Sequence, residues 1–174
     1  MTPWILLSAA LAVPPTVSVG SHALSFSLPS INEEVTEELV SSTQLALSDF
    51  IGVSPEHPQK ALLVYFFNRS DGGMALPALN RIQKRYDGKG VQIIAISTDA
   101  GPIGGLSTWI EEQKLTFPVL RDNHQIVSSR YGVQQLPFAL IIDGDGYIFA
   151  MGRPMGDDFD ESVEAELRPL ISEQ

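Results

Sequence analysis

Tyr131-Gly132-Val133-Gln134-Gln135-Leu136-Pro137-Phe138-Ala139-Leu140-Ile141-Ile142-Asp143, followed by Gly144-Asp145-Gly146, is the stretch from which the fold is read. Gly132 closes a short run from Gln125 to Tyr131 at a C-cap position, so a short helix ends there. Pro137 has no N–H to continue a helix, and it opens the apolar run 138–142. Residues 143–146 have tight-turn composition, and a second apolar run, 147–151, follows. The two runs are therefore predicted to pair as an antiparallel hairpin.

Upstream, Ala61-Leu62-Leu63-Val64-Tyr65-Phe66-Phe67 is apolar throughout and too short for a typical helix. It predicts a central strand covered on both faces. After Gly72-Gly73, the residues Met74, Leu76, Leu79, Ile82 and Tyr86 follow helical spacing, and Arg81, Lys84, Arg85 and Lys89 gather toward the helix end, where they complement its dipole. Residues 91–97 predict another buried strand and 107–114 a helix, giving a strand-helix-strand unit with parallel strands. Residues 117–120 read as a short extended piece. Further out, 25–29 and 43–47 read as short strands, and the acidic segment with Asn32, Glu33, Glu34, Glu37 and Glu38 as a loop between them. A last helix capped by Asp157 or Asp158 carries Val163, Leu167 and Leu170 on one face, with Pro169 expected to end or bend it.

The whole chain of 174 residues, 44% hydrophobic and 18% charged, has the balance of one globular domain. Eleven Lys and Arg against 21 Asp and Glu give a formal net charge of -10, which argues against a phosphate-neutralising, nucleic-acid-binding surface. There is no cysteine, so disulfides, Cys-based metal centres and a thiol nucleophile of the chain's own are excluded. Residues 1–23 carry no Asp, Glu, Lys or Arg and include the apolar run 4–13, which is shorter than the roughly 20 residues a membrane span requires and is followed by Pro14-Pro15. They read as a secretory signal peptide with cleavage expected after Ala23, small residues standing at Ser21 and Ala23; an uncleaved anchor or a buried N-terminal strand are the alternatives. The expected organisation is thus a leader over 1–23 and one domain over 24–174, exported to the periplasm or extracellular space, with no stable membrane span after cleavage.

The order of elements, together with three local patterns, resembles the thioredoxin fold and, within it, the TlpA-like branch of the redoxin (AhpC/TSA) superfamily of exported thiol-disulfide oxidoreductases. The patterns are Phe26-Ser27-Leu28-Pro29 with Leu45-Ala46-Leu47-Ser48-Asp49-Phe50-Ile51-Gly52; Tyr65-Phe66-Phe67-Asn68 with Pro77 inside the next helix; and the stretch 131–143 quoted above. The resemblance spans roughly 24–171. It implies an α/β thioredoxin-like fold, a central mixed β-sheet flanked by helices, with an N-terminal short-strand extension. It also implies that Leu136-Pro137 is cis and that the backbone of Gln135 and Leu136 beside it pairs with an extended peptide.

The departure falls on the chemistry. Where the family carries W-C-x-x-C, this chain reads Arg69-Ser70-Asp71-Gly72-Gly73. Counting back from Pro77 sets Arg69 and Gly72 at the cysteine positions, whereas counting forward from Phe66 with one deletion sets Ser70 and Gly73 there. Neither pair contains sulfur, and disulfide exchange needs a thiolate that a serine hydroxyl cannot replace. The peroxidase pattern Pro-x-x-x-Thr-x-x-Cys is also missing. No catalytic residue is therefore expected.

Other constellations resolve to structural roles. Ser70 as a hydrolytic nucleophile would need a base, and no motif links it to His57 or His124. Residues 143–146 resemble the start of a calcium loop but lack its later Glu, and Asp122-Asn123-His124 read as a turn and a cap rather than metal ligands. Gly72-Gly73 before a helix could receive an anion, yet no nucleotide fingerprint accompanies them. Phe66, Phe67, Trp109 and Phe117 read as core. No metal or cofactor is expected. The expected function is a non-catalytic, thioredoxin-like binding protein of the cell envelope that holds an extended peptide or envelope protein at the Pro137 groove. The alternative is a redoxin-family oxidoreductase or antioxidant enzyme with replaced chemistry, dependent on Ser70 or on a partner's thiols.

Overall fold

The computed structural model describes residues 17–52, 55–153 and 159–172; the apolar run 4–13 and the caps Asp157 and Asp158 lie outside them. In chain order the elements are β1 (Ser27–Pro29), α1 (Glu33–Val40), β2 (Gln44–Ala46), β3 (Ala61–Phe67), α2 (Leu76–Arg85), β4 (Val91–Ser97), α3 (Ile103–Glu112), β5 (Val119–Arg121), α4 (Ile126–Arg130), β6 (Phe138–Asp143), β7 (Ile148–Gly152) and α5 (Phe159–Ser172). Five strands form one mixed sheet in the order β5-β4-β3-β6-β7, and β1 and β2 make a separate antiparallel pair. Strand β3 is central, parallel to β4 and antiparallel to β6, so Tyr65 stands between Ala95 and Ala139. The β6–β7 hairpin is antiparallel.

Every residue of β3 is buried, and the strand's two-residue period divides them between two cores. Ala61, Leu63, Tyr65 and Phe67 face one side, where Leu76, Leu79 and Ile82 of α2, Leu106 and Ile110 of α3, and Val163 and Leu167 of α5 cover them. Leu62, Val64 and Phe66 face the other, packed with Val127, Tyr131, Phe50 and residues of the N-terminal segment. This is an α/β, thioredoxin-like architecture: a mixed sheet with helices on both faces.

Four local expectations are corrected. The acidic segment is the helix α1 rather than a loop, because Thr36 is buried against Ser30, their hydroxyl oxygens 2.6 Å apart, and the Asn32 side chain fastens the helix start to the β5 edge. Asn32 Oδ1 accepts from the Val119 N–H at 2.7 Å and its Nδ2 donates to the Phe117 carbonyl at 2.9 Å; Glu33 and Glu34 then sit at the favourable positive end of the dipole. Met74 leaves the apolar face of α2 and is 93% exposed, because residues Gly73–Ala75 form a tighter 3-10 turn that changes the angular phase before the helix begins. Helix α3 starts at Ile103, not Ser107, directly after extended Pro102. Pro169 does not end α5; it lies in the last turn, and Leu170 and Ile171 pack on the core and carry the helix to Ser172.

Of the residues before the boundary expected after Ala23, 20–23 are hydrogen-bonded to the start of β7 and the turn ahead of it, and Val17 is 2% exposed. At the opposite edge, the Ile31 N–H donates to the Val119 carbonyl at 2.7 Å. Among the described residues no helix is long and apolar enough to cross a membrane.

Candidate functional site

The loop 69–73 joins the end of β3 to the turn before α2, and its shape is set by side chains close in sequence. Asn68 Oδ1 accepts from the Asp71 N–H at 2.6 Å while the Asn68 N–H donates to the Asp71 carbonyl at 3.0 Å. The Arg69 N–H donates to the Asp99 carboxylate at 3.1 Å, and the Ser97 hydroxyl donates to the same carboxylate at 2.8 Å. The Arg69 guanidinium turns toward α3, with its Nε 3.9 Å from Asp99 and an N–H 3.4 Å from the Gly105 carbonyl.

Gly72 has a φ of +98°, and a Cβ built there would lie 2.7 Å from Pro137 Cβ and 2.8 Å from the Tyr65 hydroxyl oxygen. The Gly72 carbonyl accepts from that hydroxyl at 3.1 Å. A side chain at Gly73 would meet the Trp109 ring at 3.0 Å. Under either alignment, then, the second cysteine position is held by a glycine whose surroundings are already filled. Burial drives the Tyr65 hydroxyl well above its ordinary pKa, so it remains a neutral donor.

Gly72 and Pro137 are brought into contact, and the Leu136-Pro137 bond is cis. Ser70 and Leu136 line one open cleft of about 370 Å³ with Asn68, Thr98, Asp99 and Gln134. Neither His57, set against Phe50, nor His124, beside Asn123, is hydrogen-bonded to Ser70. Asp122 acts as a cap: its carboxylate accepts from the amides of Ile126, Val127 and Ser128 at 2.9, 3.2 and 2.8 Å.

Two features escaped the sequence. The expected open backbone of Gln135 and Leu136 is partly taken, because Arg153 donates to Gln135 Oε1 at 2.8 Å and to the Leu136 carbonyl at 2.9 Å. The β6–β7 register sets Gly152 opposite Ala139 and so delivers Arg153 to this end of the sheet, a placement that composition cannot show. A larger cleft of about 710 Å³, lined by Glu33, Glu34, Glu111 and Lys114 among others, shares no residue with the first.

Known proteins agree with this architecture. A Thiol-disulfide oxidoreductase ResA from Bacillus thuringiensis (strain Al Hakam) is 32% identical over 95 residues, covering 55% of this chain and 53% of that protein. ResA from Oceanobacillus iheyensis is 30% identical over 131 residues, 75% of this chain and 62% of that protein. The chain thus spans between half and two thirds of the length of these relatives. Among solved structures, one assigned as a thiol:disulfide interchange protein DsbE from Chlorobium tepidum superposes with a TM-score of 0.74 at 22% identity, over 90% of this chain and 99% of that one, a likeness of fold. The AhpC/TSA family profile matches residues 19–151, so the chain belongs to the AhpC/TSA family, as a member without cysteine.

Proposed function

We propose that this chain is an exported, non-catalytic redoxin that binds an extended segment of a partner protein at the groove beside Pro137. The observation that carries this is the filled glycine pair: the site has no sulfur, and Gly72 and Gly73 pack against Pro137 and Trp109 where a second thiol would have to stand. A dithiol exchange cycle needs a thiolate to attack and a second thiol to release the mixed disulfide. The main-chain groups around Leu136 need no sulfur to pair with a strand. A segment entering the groove draws Arg153 off the Leu136 carbonyl.

The test has two arms. The purified protein is incubated with insulin and dithiothreitol and, separately, with hydrogen peroxide and a thiol; no rate above the uncatalysed one is expected in either, and robust turnover overturns the non-catalytic assignment. Extended peptides selected from a random library are then titrated into isotope-labelled protein, where the amides of Ser70, Gly72, Gln135 and Leu136 should shift together. Shifts confined to other surfaces sink the groove. Export is tested by locating the protein in cell fractions of a bacterial host.

A further inference from the structure

The N-terminal segment that the leader boundary would remove is tied to the edge of the sheet. Strand β7 is the outer strand, and the start of its free side is occupied: the Gly20 N–H donates to the Ile148 carbonyl at 2.8 Å, the Ile148 N–H to the Ser21 carbonyl at 2.9 Å, and the Ala23 N–H to the Gly146 carbonyl at 2.9 Å. His22 and Tyr147 form the bridge pair, with ring centroids 4.0 Å apart and stacked. Ahead of this, a turn closed by the Ser21 N–H on the Ser18 carbonyl at 3.0 Å and locked by the Ser21 hydroxyl at 2.8 Å, with Gly20 at φ +85°, sends Val17 into the core beside β3. The match to the family also begins at residue 19.

We propose that residues 17–23 are a permanent edge segment of the domain and that the bond cut when the leader is removed lies upstream of Val17. This rests on the exported reading above. Cutting after Ala23 would leave the Ile148 N–H and C=O and the Gly146 carbonyl without their partners at the sheet edge, and take Val17 out of the core. Ser21 and Ala23, the small pair that suggested the later cut, are committed to the turn and the ladder instead.

The full chain is expressed in a bacterium that exports it, and the soluble exported protein is examined by intact mass and N-terminal sequencing. A cleaved protein whose first residue is Val17 or an earlier one is expected, together with slow hydrogen exchange at the Ile148 amide; a folded protein beginning anywhere from Ser18 to Leu24 overturns the proposal. If Met1 is retained, the proposed cut is overturned, and the edge segment is decided by variants of the full chain. Val17→Ala should lower the melting temperature by about 2–5 °C and speed Ile148 exchange at least tenfold, and Val17→Asp should do more. Unchanged melting and unchanged Ile148 exchange in both variants overturn it.

Discussion

Gly72 and Gly101 offer a matched pair. Both have φ near +98°, at +98° and +99°, but a Cβ on Gly101 meets nothing within 4 Å, whereas one on Gly72 meets Pro137 at 2.7 Å, Tyr65 at 2.8 Å and Phe67 at 3.1 Å. Replacing either by alanine puts an L side chain in the left-handed region, at about 1–2 kcal/mol. At Gly72 the methyl group also has to push apart two buried groups on β3 and the Pro137 ring, an overpacking cost of about 1–3 kcal/mol. The difference between the two variants isolates that second cost. For a domain of this length it corresponds to a gap in melting temperature of about 2–12 °C, Gly72→Ala being the lower. Calorimetric melts and urea titrations of the wild type, Gly72→Ala and Gly101→Ala measure it, and equal denaturant slopes ensure that the shift belongs to the folded state. If Gly72→Ala melts within about 1 °C of Gly101→Ala, the loop is not packed against Pro137, and the claim that a second cysteine has no room there fails.

Three further outcomes are expected. Asp122→Ala leaves three amides of α4 without their acceptor and should cost about 1–3 kcal/mol in urea unfolding, with loss of exchange protection at Val127 and Ser128; wild-type protection would show that the carboxylate is not the cap. Burial pushes the Tyr131 hydroxyl up to about 12, against the opposing pull of Arg130, while the same tyrosine in the unfolded chain ionises near 10. Its contribution to stability is therefore complete below pH 10 and lost as pH rises toward 12, so Tyr131→Phe should flatten the fall in stability across that window, and an unchanged slope refutes it. Arg153→Ala frees the Leu136 carbonyl and should tighten binding of a groove-selected peptide by about 3–10-fold, the worth of one hydrogen bond the partner no longer has to displace; weaker binding would mean that Arg153 itself contacts the segment.

The sheet was legible because its strands are uniformly apolar and its turns carry their own chemistry. Residues 61–67 and 91–97 have no polar face to hide, which is the signature of strands covered on both sides, and Asp143-Gly144-Asp145-Gly146 announces the hairpin. The errors cluster where a distant contact overrides local composition. Helix α1 looks like a solvated acidic loop until Asn32 and Ser30 are seen tied to the edge of β5, more than 80 residues away in the chain. Pro169 looks like a terminator, but the missing hydrogen bond falls in a last turn whose Leu170 and Ile171 are held by the core. At the site, the position of the loop 69–73 beside Pro137 was implied by the resemblance to the family, and Gly72 does lie against Pro137. The occupation of Leu136 by Arg153 was not implied, because it depends on the register of β6 and β7 at their open end.

Loss of sulfur from such a site need not weaken the fold, and the contacts around the loop show why. The loop's hydrogen bonds run from Asn68 to Asp71, from Arg69 and Ser97 to Asp99, and from Tyr65 to Gly72; none of them needs a sulfur atom. The two cores beneath it are built from β3, its neighbouring strands and the flanking helices. The fold is thus held by residues other than those at the cysteine positions. At Gly72 the Tyr65 hydroxyl and Pro137 stand so close to the backbone that any side chain placed there, a thiol included, costs packing. What stands beside the loop is the rim of the groove, where Ser70, Gln134 and Leu136 border one open cleft.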